Sequence, residues 1–302
     1  MSTRPAPVEP PVEGAAWTLL HLLRWSTQYL EQKGLERPRL DVELLLAHAL
    51  GVGRLDLYLQ FDRPLERAEL DAFRPLLLRR GRREPLQYVV GSAAFRELEL
   101  LVDPRVLIPR PETEGLVGHV LDWAAARGAG ITGVLEIATG SGAIALSLRR
   151  EGSFGRIVAS DLSGDALEVA RANAARLGLT DVEWRQGDGL SVIESGERFD
   201  VLVANPPYVA WSERPALAPE VADYEPAQAL FADEEGLALV NVLIRDGGRV
   251  VAPGGLLALE IGAGQGAQVA DLARDVGSWE EVRVAEDLSG KDRYLLAARR
   301  SV

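Results

Sequence analysis

No cysteine occurs in the 302 residues. That excludes disulfides, a thiolate nucleophile and Cys-ligated zinc. Histidine is scarce: His21, His48 and His119 lie far apart and outside any ligand spacing. They are expected as helix-surface or packing residues, and no metal site is expected. No apolar run reaches the roughly 18 residues that would suggest a membrane span. The opening sixteen residues, MSTRPAPVEPPVEGAA, lack the apolar stretch of a signal peptide and read as a disordered lead-in, 1–16. Positive charge is also short. Net charge is −12, and residues 89–302 carry 20 Lys/Arg against 33 Asp/Glu, whereas residues 1–88 carry 13 against 12. This balance argues against strong phosphate-driven binding, so no stable nucleic-acid partner is expected, and no membrane. A cytoplasmic monomer is the default expectation. The exception is LLRRGRRE (77–84), with four arginines. It reads either as a solvated helix end or as a contact for an acidic or RNA-containing partner.

What is present divides into two patterns. Residues 17–85 repeat apolar residues at helical spacing: WTLLHLLRWSTQYLEQKG ends in Gly34, RLDVELLLAHALG in Gly51, and ERAELDAFRPLLLRRG carries Pro75, with DLYLQFDRPL as a connector. A small helical bundle is expected there. Residues 86–108 lose the 3.6 period and gain β-branched and aromatic residues, which predicts a β-hairpin linker. From 109 onward, RPETEGLVGHVLDWAAARG opens a helix with Pro111 in its first turn, and apolar strands then alternate with amphipathic helices. The strands are GVLEIAT, GRIVASD, VEWRQGD, FDVLVAN, GGLLALEIG, EEVRVAED and RYLLAAR. The expected fold class is α/β, a doubly wound, seven-stranded, mostly parallel sheet over 109–302. Only LSGKD separates the last two strands, too short for a parallel crossover, so one of them should run antiparallel.

VLEIATGSGAIALSL (134–148) sets a glycine turn between strand and helix, where Gly140 and Gly142 let backbone approach a ligand. Nineteen residues after Gly142, a strand ends in Asp161, an acid able to accept from two ribose hydroxyls. These features alone leave three readings open: a methyltransferase, a dinucleotide binder, or a structural turn. The T-G-S-G spacing, with Ala145 near the third dinucleotide position, departs from the dinucleotide pattern. Asp188, in RQGDG, is placed to face an adenine edge, or merely turns the chain.

The fourth strand runs into VANPPYVA (203–210). Prolines end sheet pairing and remove N–H donors. The Asn205 carboxamide offers one acceptor oxygen, the Pro206 carbonyl offers a second, and Tyr208 supplies a flat face. Two fixed acceptors beside a plane form a receptor for a planar –NH2 group. Such a nitrogen is a poor nucleophile, and the electrophile implied alongside it is S-adenosyl-L-methionine. Adenine, cytosine and a carboxamide such as glutamine all fit this chemistry.

The segments VLIPRPETEGLV (106–117), TGSGAIALSL (139–148), ASDLSGDALEVARANA (159–174), NPPYVA (205–210), YEPAQAL (224–230), DEEGLALV (233–240), ALEIGAGQG (258–266) and DLSGKDRYLLA (287–297) occur in this order. They resemble the protein-(glutamine-N5) methyltransferases of the HemK/PrmC type. The resemblance implies a Rossmann-like class I methyltransferase domain behind a helical substrate-docking domain. The activity it implies is methylation of the glutamine in the Gly-Gly-Gln motif of class 1 peptide chain release factors. Cofactor contacts follow at Ala138, Thr139, Gly140, Ser141, Gly142, Asp161, Gly189 and Asn205, with Asp188 beside them. Substrate contacts follow along Asn205, Pro206, Pro207 and Tyr208, with Asn205, Pro206 and Tyr208 catalytic. Arg110 and Glu112 are read as a pair walling the pocket mouth, or as no more than a helix start. Two departures stand out: Ala138 replaces a glycine, and Gly189 stands where an aromatic can occur. The alternative activity is methylation of an adenine or cytosine exocyclic amine in RNA or DNA.

Overall fold

The structure, a computed structural model, describes residues 16–128 and 130–301, so the expected lead-in lies outside the described residues apart from Ala16. Two compact units form. One comprises the described chain through Gly91 together with Pro219–Tyr224; the other comprises Ser92–Ala218 and the chain from Glu225.

The first unit is helical: α1 (Leu19–Gln32), α2 (Pro38–Leu50), α3 (Arg54–Tyr58), α4 (Arg67–Gly81) and α5 (Leu86–Val90). Thr18 caps α1 by accepting from the His21 N–H, and Gly34 and Gly51 end α1 and α2 in the left-handed region. Leu23, Leu30, Leu45, Leu57 and Phe73 bury their side chains in its core. The short helix α3 interrupts what the sequence suggests is a connector, because the Gly53 N–H donates to the Asp56 carboxylate and caps the turn. The 77–84 arginines do end a helix, Arg79 and Arg80 lying in the last turn of α4, but three of the four are paired and not left to solvent. Arg79 binds Glu84 and the carbonyls of Tyr88 and Val89. Arg80 joins Asp41 at 2.7 Å and Glu220 at 3.3 Å, and Arg83 joins Glu220 and the Gly34 carbonyl. The charges of Arg79, Arg80 and Arg83 are thus paired inside the unit.

The 86–108 stretch divides. Leu86–Val90 is helical despite its β-branched valines, because Gly91 at φ 77° closes the turn. Ser92–Phe95 and Leu98–Leu101 form the hairpin, which belongs to the second unit. Phe95, Leu98 and Leu100 are buried in that unit's core, and Arg96 at the tip binds Glu151 and the Glu114 carbonyl. Burial on the sheet side, not linkage, explains its apolar alternation.

The second unit's sheet runs through β1 (Gly133–Ile137), β2 (Arg156–Asp161), β3 (Val182–Gln186), β4 (Phe199–Ala204), β5 (Val251–Glu260), β6 (Trp279–Glu286) and β7 (Asp292–Arg299). The spatial order is β6-β7-β5-β4-β1-β2-β3. All neighbours among β1–β5 pair in parallel, and β7 runs antiparallel to both β5 and β6, as the short LSGKD connection requires. Both faces are covered, so the central strand β4 is apolar on both sides: Val201 and Val203 enter one core, Leu202 and Ala204 the other. Helices Pro111–Arg127, Ala143–Glu151 and Gly164–Leu177 supply the first core; Ala238–Asp246 and Gly266–Asp275 supply the second. Strand order reverses at β1 and β4. The carboxyl ends of those strands therefore diverge into a crevice, where such sheets take ligands.

Candidate active site

At the end of β1, Ala138 adopts φ 60° and Gly140 φ 55°, a left-handed turn that leads into the helix starting at Ala143. Ala138 thus adopts a conformation that costs an L-residue about 1–2 kcal/mol. The loop keeps the bend, and the missing glycine does not open it. Glu136 lies beneath the turn, fully buried. Its Oε2 accepts from the Thr139 hydroxyl at 2.8 Å and the Ala145 N–H at 3.0 Å, while its Oε1 has no partner among the described residues. Burial pushes this carboxyl up to about 8. Asn173, also buried, donates to the Ser141 carbonyl and exchanges bonds with Leu101, which ties the glycine turn to the hairpin.

Asp161 ends β2 and accepts from the Gly140 N–H at 2.8 Å and the Ser163 N–H at 2.9 Å. Burial raises its pKa, against backbone donors at Gly140, Ser163 and Leu162. Lone-pair capacity remains for further donors. Beyond β3, Asp188 opens a short 3-10 turn, and Gly189 at φ 47° leaves room for Leu239. Beyond β4, the chain leaves the sheet at Asn205.

One cavity collects these ends. It is lined by Ala138, Thr139, Gly140, Ser141, Asp161, Asp188, Gly189, Asn205 and Pro207 of the expected residues. Glu136, Thr113, Leu162 and Leu239 line it as well, without having been singled out from sequence. Its empty volume, mouth included, is about 1040 Å³, enough for a nucleoside with an amino-acid arm. Gly142 does not line it. A Cβ at Gly142 would meet Leu146, Trp184 and Ala170 at 3.1–3.3 Å, so this glycine serves helix packing. Arg110 and Glu112 do not line it either, and they do not pair with each other. The Arg110 guanidinium binds the buried Glu225, which also accepts from the Ile108 N–H. A buried carboxylate demands a cation, and Glu112 on the first helical turn is partly solvated. The segment walls the cavity through Pro109 and Thr113 instead.

Pro206 is buried and Tyr208 half-buried; neither lines the cavity itself. Tyr208 donates its hydroxyl to Glu260 Oε1 at 3.1 Å. Thr113 donates to Glu260 Oε2 at 2.7 Å and accepts from Asn205 Nδ2 at 3.0 Å. Glu260 is fully buried, and burial holds it up to about 7 against the two donors and the charge of Arg293. Burial beside Glu260 raises the Tyr208 hydroxyl. Gln265 donates to the Tyr208 carbonyl at 3.0 Å and holds the corner from the other side.

Comparison with known proteins follows the same division. Residues 21–91 match the family described as PrmC N-terminal domain, and residues 134–224 the family described as Methyltransferase domain. The release factor glutamine methyltransferase of Rhodopirellula baltica is 38% identical over 282 residues, covering 92% of this chain and 95% of that protein. The chain belongs to the release factor glutamine methyltransferase family. The Moorella thermoacetica member is 40% identical over 94% of this chain and 99% of its own. A methyltransferase structure from Pyrococcus furiosus, 18% identical, shares the fold with TM-score 0.50 over 69% of this chain and 92% of its own. The cavity at the reversed strands and the Asn-Pro-Pro-Tyr corner meet at Asn205 and Pro207. The signals for Thr113 and Glu260 lay inside PRPETE and ALEIG, but nothing in one dimension says that they touch.

Proposed function

We propose that this chain transfers a methyl group from S-adenosyl-L-methionine to the side-chain amide nitrogen, N5, of the glutamine in the Gly-Gly-Gln motif of class 1 peptide chain release factors. The carrying observation is the Asn205 carboxamide. Its nitrogen is committed to Thr113, so its oxygen remains for a substrate N–H at the edge of a cofactor-sized cavity.

The residues present fit the cofactor. Glu136 holds one oxygen unpartnered in the cavity wall, which suits a ligand that brings a hydrogen-bonding group there. Asp161, with capacity left beyond its backbone donors, suits a ribose diol. Leu162 and Leu239 supply apolar surface for a base. When bound, S-adenosyl-L-methionine supplies a sulfonium methyl whose C–S bond breaks as the N–C bond forms, the electron pair staying on sulfur.

On this reading Asn205 Oδ1 and the Pro206 carbonyl accept the two amide hydrogens, and Tyr208 packs the amide plane. Pro207 has no N–H to compete. Holding both hydrogens favours the tetrahedral nitrogen of the transition state, so the bonds strengthen as reaction proceeds. Alignment with the methyl carbon contributes the other large term. The amide proton leaves to water after attack, so no strong base is required. The helical unit serves to dock the release factor, and the enzyme works as a cytoplasmic monomer.

The test uses labelled S-adenosyl-L-methionine with a class 1 release factor, its Gln→Ala loop variant, and total RNA. Label in the intact factor alone is the expected result. Label in RNA would replace this reading with the amine methylation of a nucleobase. Asn205→Ala should abolish transfer while cofactor affinity by calorimetry stays within a few fold (about the scatter expected for a lost peripheral contact).

A further inference from the structure

We propose that Glu260, acting through the Thr113 hydroxyl, decides which end of the Asn205 carboxamide faces the substrate, and is a positioning residue for amide recognition. This rests on the reading above that a substrate amide meets Asn205.

Hydrogen-bond polarity sets the orientation. In parallel register Ala204 sits opposite Leu259, so Asn205 and Glu260 follow side by side at the carboxyl ends of β4 and β5. Thr113, near the start of the helix Pro111–Arg127, stands between their side chains. Above about pH 7, where Glu260 is ionised, its carboxylate only accepts. Glu260 Oε2 therefore takes the single proton of the Thr113 hydroxyl. That hydroxyl oxygen can then only accept from Asn205, which must offer Nδ2. Oδ1 is left facing away, as the acceptor that a substrate N–H needs. Glu260 cannot relax by turning, because Tyr208 holds its other oxygen. Thr113 and Glu260 are 4% and 0% exposed, so bulk water cannot substitute for a mismatched partner. A free Asn amide flips with little preference; this one is oriented by an acid that never meets the substrate.

Two comparisons test this with the release-factor substrate, reading kcat, KM and cofactor affinity separately. Thr113→Val removes the hydroxyl and keeps the volume; Thr113→Ser keeps the hydroxyl and loses the methyl. Thr113→Val should lower kcat about 100-fold, the cost of a misplaced reacting group, with cofactor affinity little changed. Thr113→Ser should retain most of kcat. The reverse order would show a packing role and overturn the proposal. The second comparison inverts the relay. Asn205→Asp places an acceptor against the Thr113 oxygen, which has no proton to give it, and should lose activity. Adding Glu260→Gln offers an amide N–H to Thr113, frees the threonine proton for the introduced carboxylate, and leaves one oxygen of that carboxylate for substrate. N205D/E260Q should exceed N205D by about 10-fold or more, a coupling expected only of neighbours in one network. No gain would overturn the proposal. Wild-type protein that leaves the release factor unlabelled would instead sink the functional reading itself. The N205D and N205D/E260Q pair keeps the question open to test if Thr113→Val does not fold.

Discussion

Gly236 lies against the carbonyl of Tyr208: a Cβ on Gly236 would come within 2.2 Å of that oxygen. Its φ is 87°, and Glu234 and Glu235 before it are also left-handed, at 54° and 56°. The DEEG turn is thus a backbone-to-backbone buttress for the Asn-Pro-Pro-Tyr corner. Gly236→Ala must strain its own backbone, about 1–2 kcal/mol, and also displace Tyr208. We expect a lower melting temperature and a loss in kcat/KM for the release factor greater than the loss in cofactor affinity. Wild-type kinetics in this variant would remove the buttress role.

The fully buried Glu136 gives a pH prediction with a definite sign. Its folded pKa, about 8, lies above its unfolded value of 4.5. Its stabilising contribution is complete below about pH 4.5 and is lost as pH rises through 8. Glu136→Gln abolishes this term and keeps an acceptor for Thr139 and Ala145. Without cofactor, the variant should match wild type near pH 5 and be more stable near pH 9, by an amount on the order of a few kcal/mol. With cofactor the order near pH 9 should reverse, because there the ionised Glu136 of the wild type meets the positive charge of the ligand and the variant has no charge to offer. Parallel melting curves across that pH range, with and without S-adenosyl-L-methionine, check both statements.

Asp161→Asn looks isosteric and is not. Both carboxylate oxygens already accept backbone N–H groups, from Gly140 and Ser163. An amide NH2 at either place sets donor against donor, at a cost of about 1–3 kcal/mol. That cost falls on the folded protein, so the variant should melt lower, and cofactor affinity measured by calorimetry should also fall, by about 5-fold or more, as the acceptor for the ligand is lost. Tight binding by the variant would mean that the acid does not anchor the ligand.

In the helical unit, Arg80 is the hub of a nearly buried cluster with Asp41 and Glu220. Arg80→Ala leaves the nearly buried Asp41 without its cation, while Glu220 keeps Arg83, and should cost about 3–5 kcal/mol in thermal unfolding. The same variant should leave RNA retention on filters unchanged, since the arginines 79, 80 and 83 are engaged internally.

How much of this the sequence reveals depends on the range over which each feature is decided. The seven strands and their flanking helices follow from local apolar periodicity, and the antiparallel β7 follows from the length of LSGKD. T-G-S-G, Asp161 and Asn205 are legible because strand ends and turns carry local residue preferences. Partners set by packing are not. Arg110 takes Glu225 over Glu112, 115 positions away as against two, because burial of Glu225 outweighs proximity in the chain. Gly142 reads as a ligand-facing glycine, and only the crowding by Trp184 shows that it is a packing one. The Thr113–Glu260 contact joins segments 147 residues apart and has no local signature.

The assignment of Pro219–Tyr224 to the helical unit has a practical consequence. The polypeptide leaves that unit at Gly91, returns to it at Pro219 and leaves again at Glu225. A genetic cut at residue 91 therefore does not excise one whole folding unit. It strands Glu220 without Arg80 and Arg83, and Tyr224 without the Arg82 carbonyl. A shortened catalytic fragment would carry a loose acidic loop, and restoring its order would require the helical piece to be supplied in trans.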